Sequence, residues 1–220
     1  MDFHTFYSDA AHWGWTLAVL MRATSRIERL LGLRVFQVNV RGLNPAQNPI
    51  ALAKDITVRA LDPAALIHFS QDPDFELGPA FVKEALANGD LAYGAFDQSK
   101  LVGYTWRSFS SAPFFEGLWV KVPRPFQYSY KAYTLPSQRG RGIYRAFADF
   151  ADRQAWESGY LAMLALIDVS NIASLRASRQ MGSKQTGYAG YLKLFGRCFT
   201  FRTPAARDLG VEIYARNPRA

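Results

Sequence analysis

The most legible hydrophobic pattern in the chain lies between residues 126 and 182. YSYKAYTL alternates in a way that predicts a strand. Tyr128, Tyr130 and Thr134 would share one face and Lys131 and Tyr133 the other. YLAMLALIDV is an apolar run of strand length, and its continuity predicts burial. Between the two, a helical stretch extends to about Ser158 and is stopped by Gly159. NIASLRASRQM predicts a second helix, ended by Gly182. Strand, helix and buried strand in that order predict a βαβ crossover.

The same reading extends outward. Trp13, Leu17, Leu20, Thr24, Ile27 and Leu31 form one stripe of a helix over 9–31, with Arg22, Arg26 and Arg29 off it and Gly32 as its stop. Such a helix suits docking on the domain, a homodimer contact, or an anionic membrane surface. The strand LRVFQVNV follows, and NPAQNP marks a boundary near 44–49. Then come a strand (DITVRAL), a short helix capped by Asp62 with Pro63 in its first turn, and a helix ending at Asn88-Gly89. LAYGAFD and KLVGYTWRSF pair as a hairpin through a tight Asp97–Lys100 turn. Residues 113–126, with three prolines among aromatics, predict an irregular loop, and GYLKLF and RCFTFR end the pattern with strand character. The fold class is therefore mixed α+β: residues 1–54 form an N-terminal helix–strand extension and 55–220 the main domain.

Composition narrows the picture slightly. The 220 residues carry a formal net charge of +8, which favours anionic partners without choosing among them. The one cysteine, Cys198, excludes an internal disulfide and a thiolate metal cluster, and His4, His12 and His68 have no metal-ligand spacing, so no metal is expected. Asp2 and Asp9 precede the first apolar stretch where a secretory leader would be basic, and no run of about 18 apolar residues occurs. A cytoplasmic location is the expectation.

The chemistry concentrates at TLPSQRGRGIYRAF, residues 134–147. A strand that ends in a glycine turn and opens a helix leaves several N–H groups unpaired, and with the helix dipole they cradle an anion. Gly140 and Gly142 permit the close approach, and Arg139, Arg141 and Arg145 add charge. Residues 117–148 contain no Asp or Glu. A solvated basic surface would account for the arginines, but a phosphate site also accounts for the glycines. No Gly-Lys-Ser/Thr occurs, so the Walker pattern fails, and Arg145 occupies the third glycine position of a dinucleotide fingerprint.

In SQRGRG, residues 137–142, the chain resembles the GNAT superfamily of N-acyltransferases, whose Q/R-x-x-G-x-G/A motif follows their fourth strand. Asn171, Ser174 and Gly182 are similar to the N-x-x-S/A…G segment downstream, and the resemblance covers about residues 55–202. It implies a central, mostly antiparallel sheet with splayed fourth and fifth strands. It also implies acetyl-CoA or another acyl-CoA as co-substrate. The pyrophosphate would rest on the N–H groups of residues 139–144 (Arg139, Gly140, Arg141, Gly142, Ile143 and Tyr144). Pantetheine would lie along Thr134, Leu135 and Pro136, with Asn171 and Ser174 beside it. A neutral amine of a small molecule would attack the thioester, a backbone N–H near Leu135 stabilising the oxyanion.

The departures are informative. The family's tyrosine acid, seven residues after the Asn, is Ser178 here, which moves that role to Tyr144, Tyr188 or Tyr191. Position 137 is Ser rather than Gln or Arg, and Ser183 stands where Phe is usual. The fourth strand offers no carboxylate base, which leaves Glu116 and Asp168, a loop charge and a strand-end cap in the alternative reading. Alternating tyrosines suit a core or an acceptor pocket, and FFEGLWVKVPRPF a lid or acceptor loop. The acceptor expected from these surroundings is an acidic or sugar-bearing amine. Rival readings are a membrane lipid-like acceptor and an inert protein on the same fold that holds coenzyme A or RNA. Against RNA, the arginines are not repeated as Arg-Gly runs.

Overall fold

The computed structural model describes residues 32–43 and 55–215. The expected helix over 9–31 and the boundary at 44–49 lie outside the described residues.

The elements run β1 (Leu33–Gly42), β2 (Ile56–Leu61), α1 (Pro63–Phe69), α2 (Pro79–Ala87), β3 (Leu91–Asp97), β4 (Lys100–Ser108), β5 (Ser111–Pro113) and β6 (Leu118–Lys121). They continue with β7 (Phe126–Thr134), α3 (Ile143–Glu157), β8 (Ala162–Asp168), α4 (Ile172–Gln180), β9 (Lys184–Leu194), β10 (Arg197–Arg202), α5 (Pro204–Asp208) and β11 (Glu212–Ala215). An eight-stranded sheet has the order β10-β9-β1-β8-β7-β4-β3-β2. Its one parallel pair among the described residues is β7–β8, joined by α3 as the expected crossover.

Local chemistry explains where several elements begin. The Asp62 side chain accepts from the Ala65 N–H at 2.8 Å and starts α1 with Pro63 in the first turn. Asn171 starts α4 in the same way, accepting from the Ser174 N–H at 3.1 Å. Helix α3 buries Ile143, Ala146, Phe147, Ala148, Ala151 and Ala155, a narrow face that lets the helix lie close to the sheet. Gly103 on β4 makes room for it, since a Cβ there would stand 2.8 Å from the Tyr133 carbonyl oxygen and 3.1 Å from Phe147. On the opposite sheet face, Phe81 of α2 packs edge-on against Trp106 and Tyr130.

Three expectations need correction. Strand β1 is not part of an appendage: it pairs with β8 on one side and β9 on the other, so the division at 54/55 cuts through the sheet. The predicted irregular loop at 113–126 holds β6, which pairs with β11 and β5 in a three-stranded second sheet. Its partner β11 lies some ninety residues away, so no local pattern announces the pairing.

The third correction reverses the faces of β7. Tyr130 pairs with Trp106 and Tyr133 with Tyr104, three residues against two, so a bulge falls at Lys131–Ala132. Lys131 accordingly has φ 43. The extra residue resets the alternation, and Tyr133 joins Tyr128 and Tyr130 while Thr134 moves to the other face. Tyr133 stacks on Tyr104 at 5.8 Å, and Tyr128 on Tyr130 at 5.6 Å.

Candidate active site

Strands β7 and β8 pair at only three positions, Phe126↔Ala162 to Tyr128↔Leu164. Beyond them the strands part, and Ser129–Ala132 and Ala165–Asp168 line a cleft of about 380 Å³. Phe36 of β1, Phe81 of α2, Phe114 and Phe115 add rings to its wall, and Tyr144, Asn171 and Ser174 add polar groups. The bulge widens the parting, because it bends β7 where pairing to β8 has ceased.

The glycine turn adjoins this cleft through Tyr144, in the first turn of α3. Gly140 and Gly142 have φ 81 and 74, and a Cβ on either would meet nothing within 4 Å. Torsion therefore requires these glycines, and the space over them is open. The Ala146 N–H donates to the Gly142 carbonyl as the first helical bond. The N–H groups of Ile143, Tyr144 and Arg145 thus lack a helix carbonyl, and those of Gly140 to Gly142 have no backbone acceptor among the described residues. The result is an anion cradle. Its donors begin at Gly140 and not at Arg139, whose N–H turns back to the Pro136 carbonyl at 3.4 Å.

The surrounding side chains are partly committed. Arg141 pairs with Asp97 of β3 at 2.8 Å and with Gln138. Arg139 Nε donates to the Thr134 carbonyl at 3.3 Å. Ile143 is buried, so only its backbone faces the cradle. The Leu135 N–H donates to Val102 O at 3.0 Å, which corrects its expected oxyanion role: that donor is spent on the sheet. Strand alternation turns the neighbouring Thr134 N–H to the open edge, the side from which its carbonyl receives Arg139.

The catalytic candidates divide. Tyr144 lines the cleft. Tyr188 does not: it is exposed on β9, its hydroxyl accepting from Gln185. Ser178 is buried and equally absent from the cleft wall. Asp168 reaches the cleft, but it accepts from Ser170 N at 2.8 Å and pairs with Arg34 at 3.0 Å, a strand-end cap rather than a base. Glu116 sits in the turn Phe115–Gly117 beside the cleft, and its side chain lies outside the described part of the structure. Asn171 keeps its cap on Oδ1 and borders the cleft, and the cap leaves its Nδ2 uncommitted among the bonds of the described residues.

Two groups escaped the sequence. Asp90, 3% exposed, accepts from Tyr130 Oη and from Asn88 Nδ2, and Tyr130 lines the cleft. Burial raises the Asp90 carboxyl above its ordinary range and pushes the Tyr130 phenol up as well, the Asp90 charge adding to the latter. Behind β7, Arg107 is 1% exposed and donates to Ser129 Oγ at 2.7 Å. Asp152 of α3 lies 3.6 Å from Arg107, pairs closely with Arg41 and accepts from Gln127 at 3.1 Å. Burial lowers the Arg107 pKa, opposed by Asp152.

No family model matches the sequence, and no curated protein matches it. Solved structures do. A Drosophila protein superposes with a TM-score of 0.53 at 15% identity over 79% of this chain, which spans 57% of the length of that one. A GCN5-related N-acetyltransferase from Kribbella flavida gives 0.46 at 12%, over 81% of this chain and 61% of its own. The aminoglycoside acetyltransferase AAC(6')-Iy, in complex with a coenzyme A bisubstrate analogue, gives 0.48 at 18%, over 60% and 92%. Likeness at such identities concerns the fold alone. The mostly antiparallel sheet, the parted parallel strands and the glycine turn opening the crossover helix are the fold that the resemblance of residues 137–142 to the GNAT superfamily implies.

Proposed function

We propose that the protein is an acyl-CoA N-acyltransferase that moves an acetyl or similar group to the primary amine of a small molecule. The observation that carries this reading is continuity: the open glycine cradle and the strand-parted cleft meet at Tyr144. An acyl-CoA pyrophosphate fits the N–H groups of Gly140 to Arg145, helped by the positive end of α3. Pantetheine fits the unpaired edge of β7 near Thr134, with Asn171 Nδ2 as a donor opposite. The thioester then reaches the parted strands.

The amine attacks the thioester carbonyl, forming the C–N bond, and collapse expels the thiolate. The Thr134 N–H supplies an oxyanion donor. Tyr130, held by Asp90, offers a hydroxyl through which the amine proton moves toward a carboxylate. Tyr144 Oη is placed to hydrogen-bond the leaving thiolate, which departs readily because its thiol has a pKa of about 8.5 and then takes its proton from solvent.

Calorimetry with acetyl-CoA, then thiol release across an amine panel, tests the proposal. Saturable binding and amine-dependent release are expected, and absence of coenzyme A binding rejects it. Burial of Ser178 and loss of the Leu135 donor favour a second reading, an inert coenzyme A-holding protein. Binding without release for any amine selects that one.

A further inference from the structure

Much of the cleft wall is a box of rings. Phe36, Phe81, Phe114, Phe115, Tyr128 and Tyr130 all line it. The box is assembled from parts of the chain far apart in sequence. Phe36 packs against Phe114 at 4.7 Å and stacks on Phe115 at 5.4 Å, while Phe81 meets Tyr130 edge-on at 6.1 Å. Rings locked against one another in this way form a preorganised apolar surface. A polyol placed there would lose water from its hydroxyls and find few partners in return.

Among the described residues, the unpaired charge in the box is positive. Lys131, displaced by the bulge, lines the cleft with Nζ 4.8 Å from the Phe81 ring centroid. It makes no ion pair among the described residues, and Glu76 acts on it only from beyond ion-pair distance. The carboxylate that reaches the cleft, Asp168, is already held by Arg34, whose guanidinium lies 5.2 Å from the Phe115 ring. An entering ligand therefore meets apolar rings and an unpaired ammonium at the edge where β7 and β8 part.

From this geometry we infer that the acceptor is an apolar α-amino acid or a compound of that class: an amine with an adjacent carboxylate on an aromatic or branched apolar body. The carboxylate pairs with Lys131, the body fills the ring box, and the amine faces the parted strands. This deepens the acyltransferase reading and rests on it. It retains the acidic acceptor that the basic surroundings suggest and discards the sugar.

Titration calorimetry on the full chain tests the assignment without turnover, using N-acetyl-L-phenylalanine, N-acetylphenethylamine (the same ring without the carboxylate) and N-acetylglucosamine. The aromatic acid should bind at least about tenfold more tightly than the sugar. Lys131→Met, at an exposed position, should weaken the aromatic acid about tenfold and leave N-acetylphenethylamine unchanged. Equal affinity for sugar and aromatic acid, no binding of the aromatic acid, or equal losses for both ring ligands in Lys131→Met would overturn it. Titration with coenzyme A separates the two failures. If coenzyme A binds and the aromatic acid does not, the acceptor class falls and acyl transfer stands. If the aromatic acid binds as described and coenzyme A does not, the acyltransferase reading falls and the ring-box site stands.

Discussion

The hydroxyl of Tyr130 donates to the carboxylate of Asp90, forty residues earlier in the chain, and this bond links the cleft wall to a buried charge. Removing it leaves Asp90 short of a donor in a site that excludes water. Tyr130→Phe should therefore cost about 1–3 kcal/mol of stability, the penalty of a buried acceptor left unpaired. Urea unfolding measures it, and an unchanged midpoint would show that water replaces the phenol.

The same carboxyl predicts a pH dependence. Burial raises its pKa above the ordinary 3.8, against the lowering effect of hydrogen bonds from Tyr130, Ser108 and Asn88. A carboxyl with a raised folded pKa binds its proton more tightly in the folded state. Its contribution is fully present below the unfolded pKa and is lost as pH rises through the raised folded value. Asp90→Asn removes that titration. Unfolding series on both proteins from about pH 3.5 to pH 7 should show wild-type stability falling relative to the variant as pH rises. A constant difference would place Asp90 at an ordinary pKa.

What the sequence disclosed, and what it concealed, follows from the range of each interaction. Asp62 and Asn171 cap helices within three residues of themselves, and Gly140 and Gly142 impose torsions locally, so these features were legible. Asp90 was not. It follows Asn88-Gly89 and looks like the end of a helix until Tyr130 folds against it. Phe36 enters the cleft only because β1 lies beside β8, a pairing across more than a hundred residues. The bulge at Lys131–Ala132 left only a faint trace: YSYKAYT alternates as far as Lys131, Ala132-Tyr133 then sets two apolar residues side by side, and only the pairing with β4 shows that an extra residue is inserted there.

Behind the cleft, Arg41, Arg107 and Asp152 place two cations around one anion beneath α3. Breaking such a group by deleting its one carboxylate leaves two buried positive charges. Asp152→Ala should cost about 3–5 kcal/mol. Because Arg107 also donates to Ser129 at the parting of the strands, the variant should loosen the cleft as well as the helix. Thermal unfolding gives the first effect and amide exchange along β7 the second. A loss below about 1 kcal/mol would mean that solvent reaches the cluster.

The cradle makes a simpler prediction. At φ 74, Gly142 occupies a conformation that L side chains rarely adopt, so Gly142→Ala should cost about 1 kcal/mol of stability. Gly142→Asp adds a negative charge where a diphosphate is proposed to sit, and should weaken coenzyme A binding at least about tenfold beyond the alanine variant. Calorimetry on both folded variants isolates the charge from the torsion. Equal affinities would place the anion elsewhere.

The last prediction separates two adjacent backbone donors. Leu135 N–H is bonded to Val102 O and holds β7 to β4, whereas Thr134 N–H faces the open edge. Proline is tolerated at strand positions whose N–H makes no ladder bond, so Thr134→Pro should fold with little loss while deleting the proposed oxyanion donor. Removal of one such donor commonly costs about a hundredfold or more in kcat. Coenzyme A affinity should change far less, because the pyrophosphate rests on Gly140 to Arg145. A variant that folds, binds coenzyme A and retains full kcat would show that the developing oxyanion is stabilised by some other group.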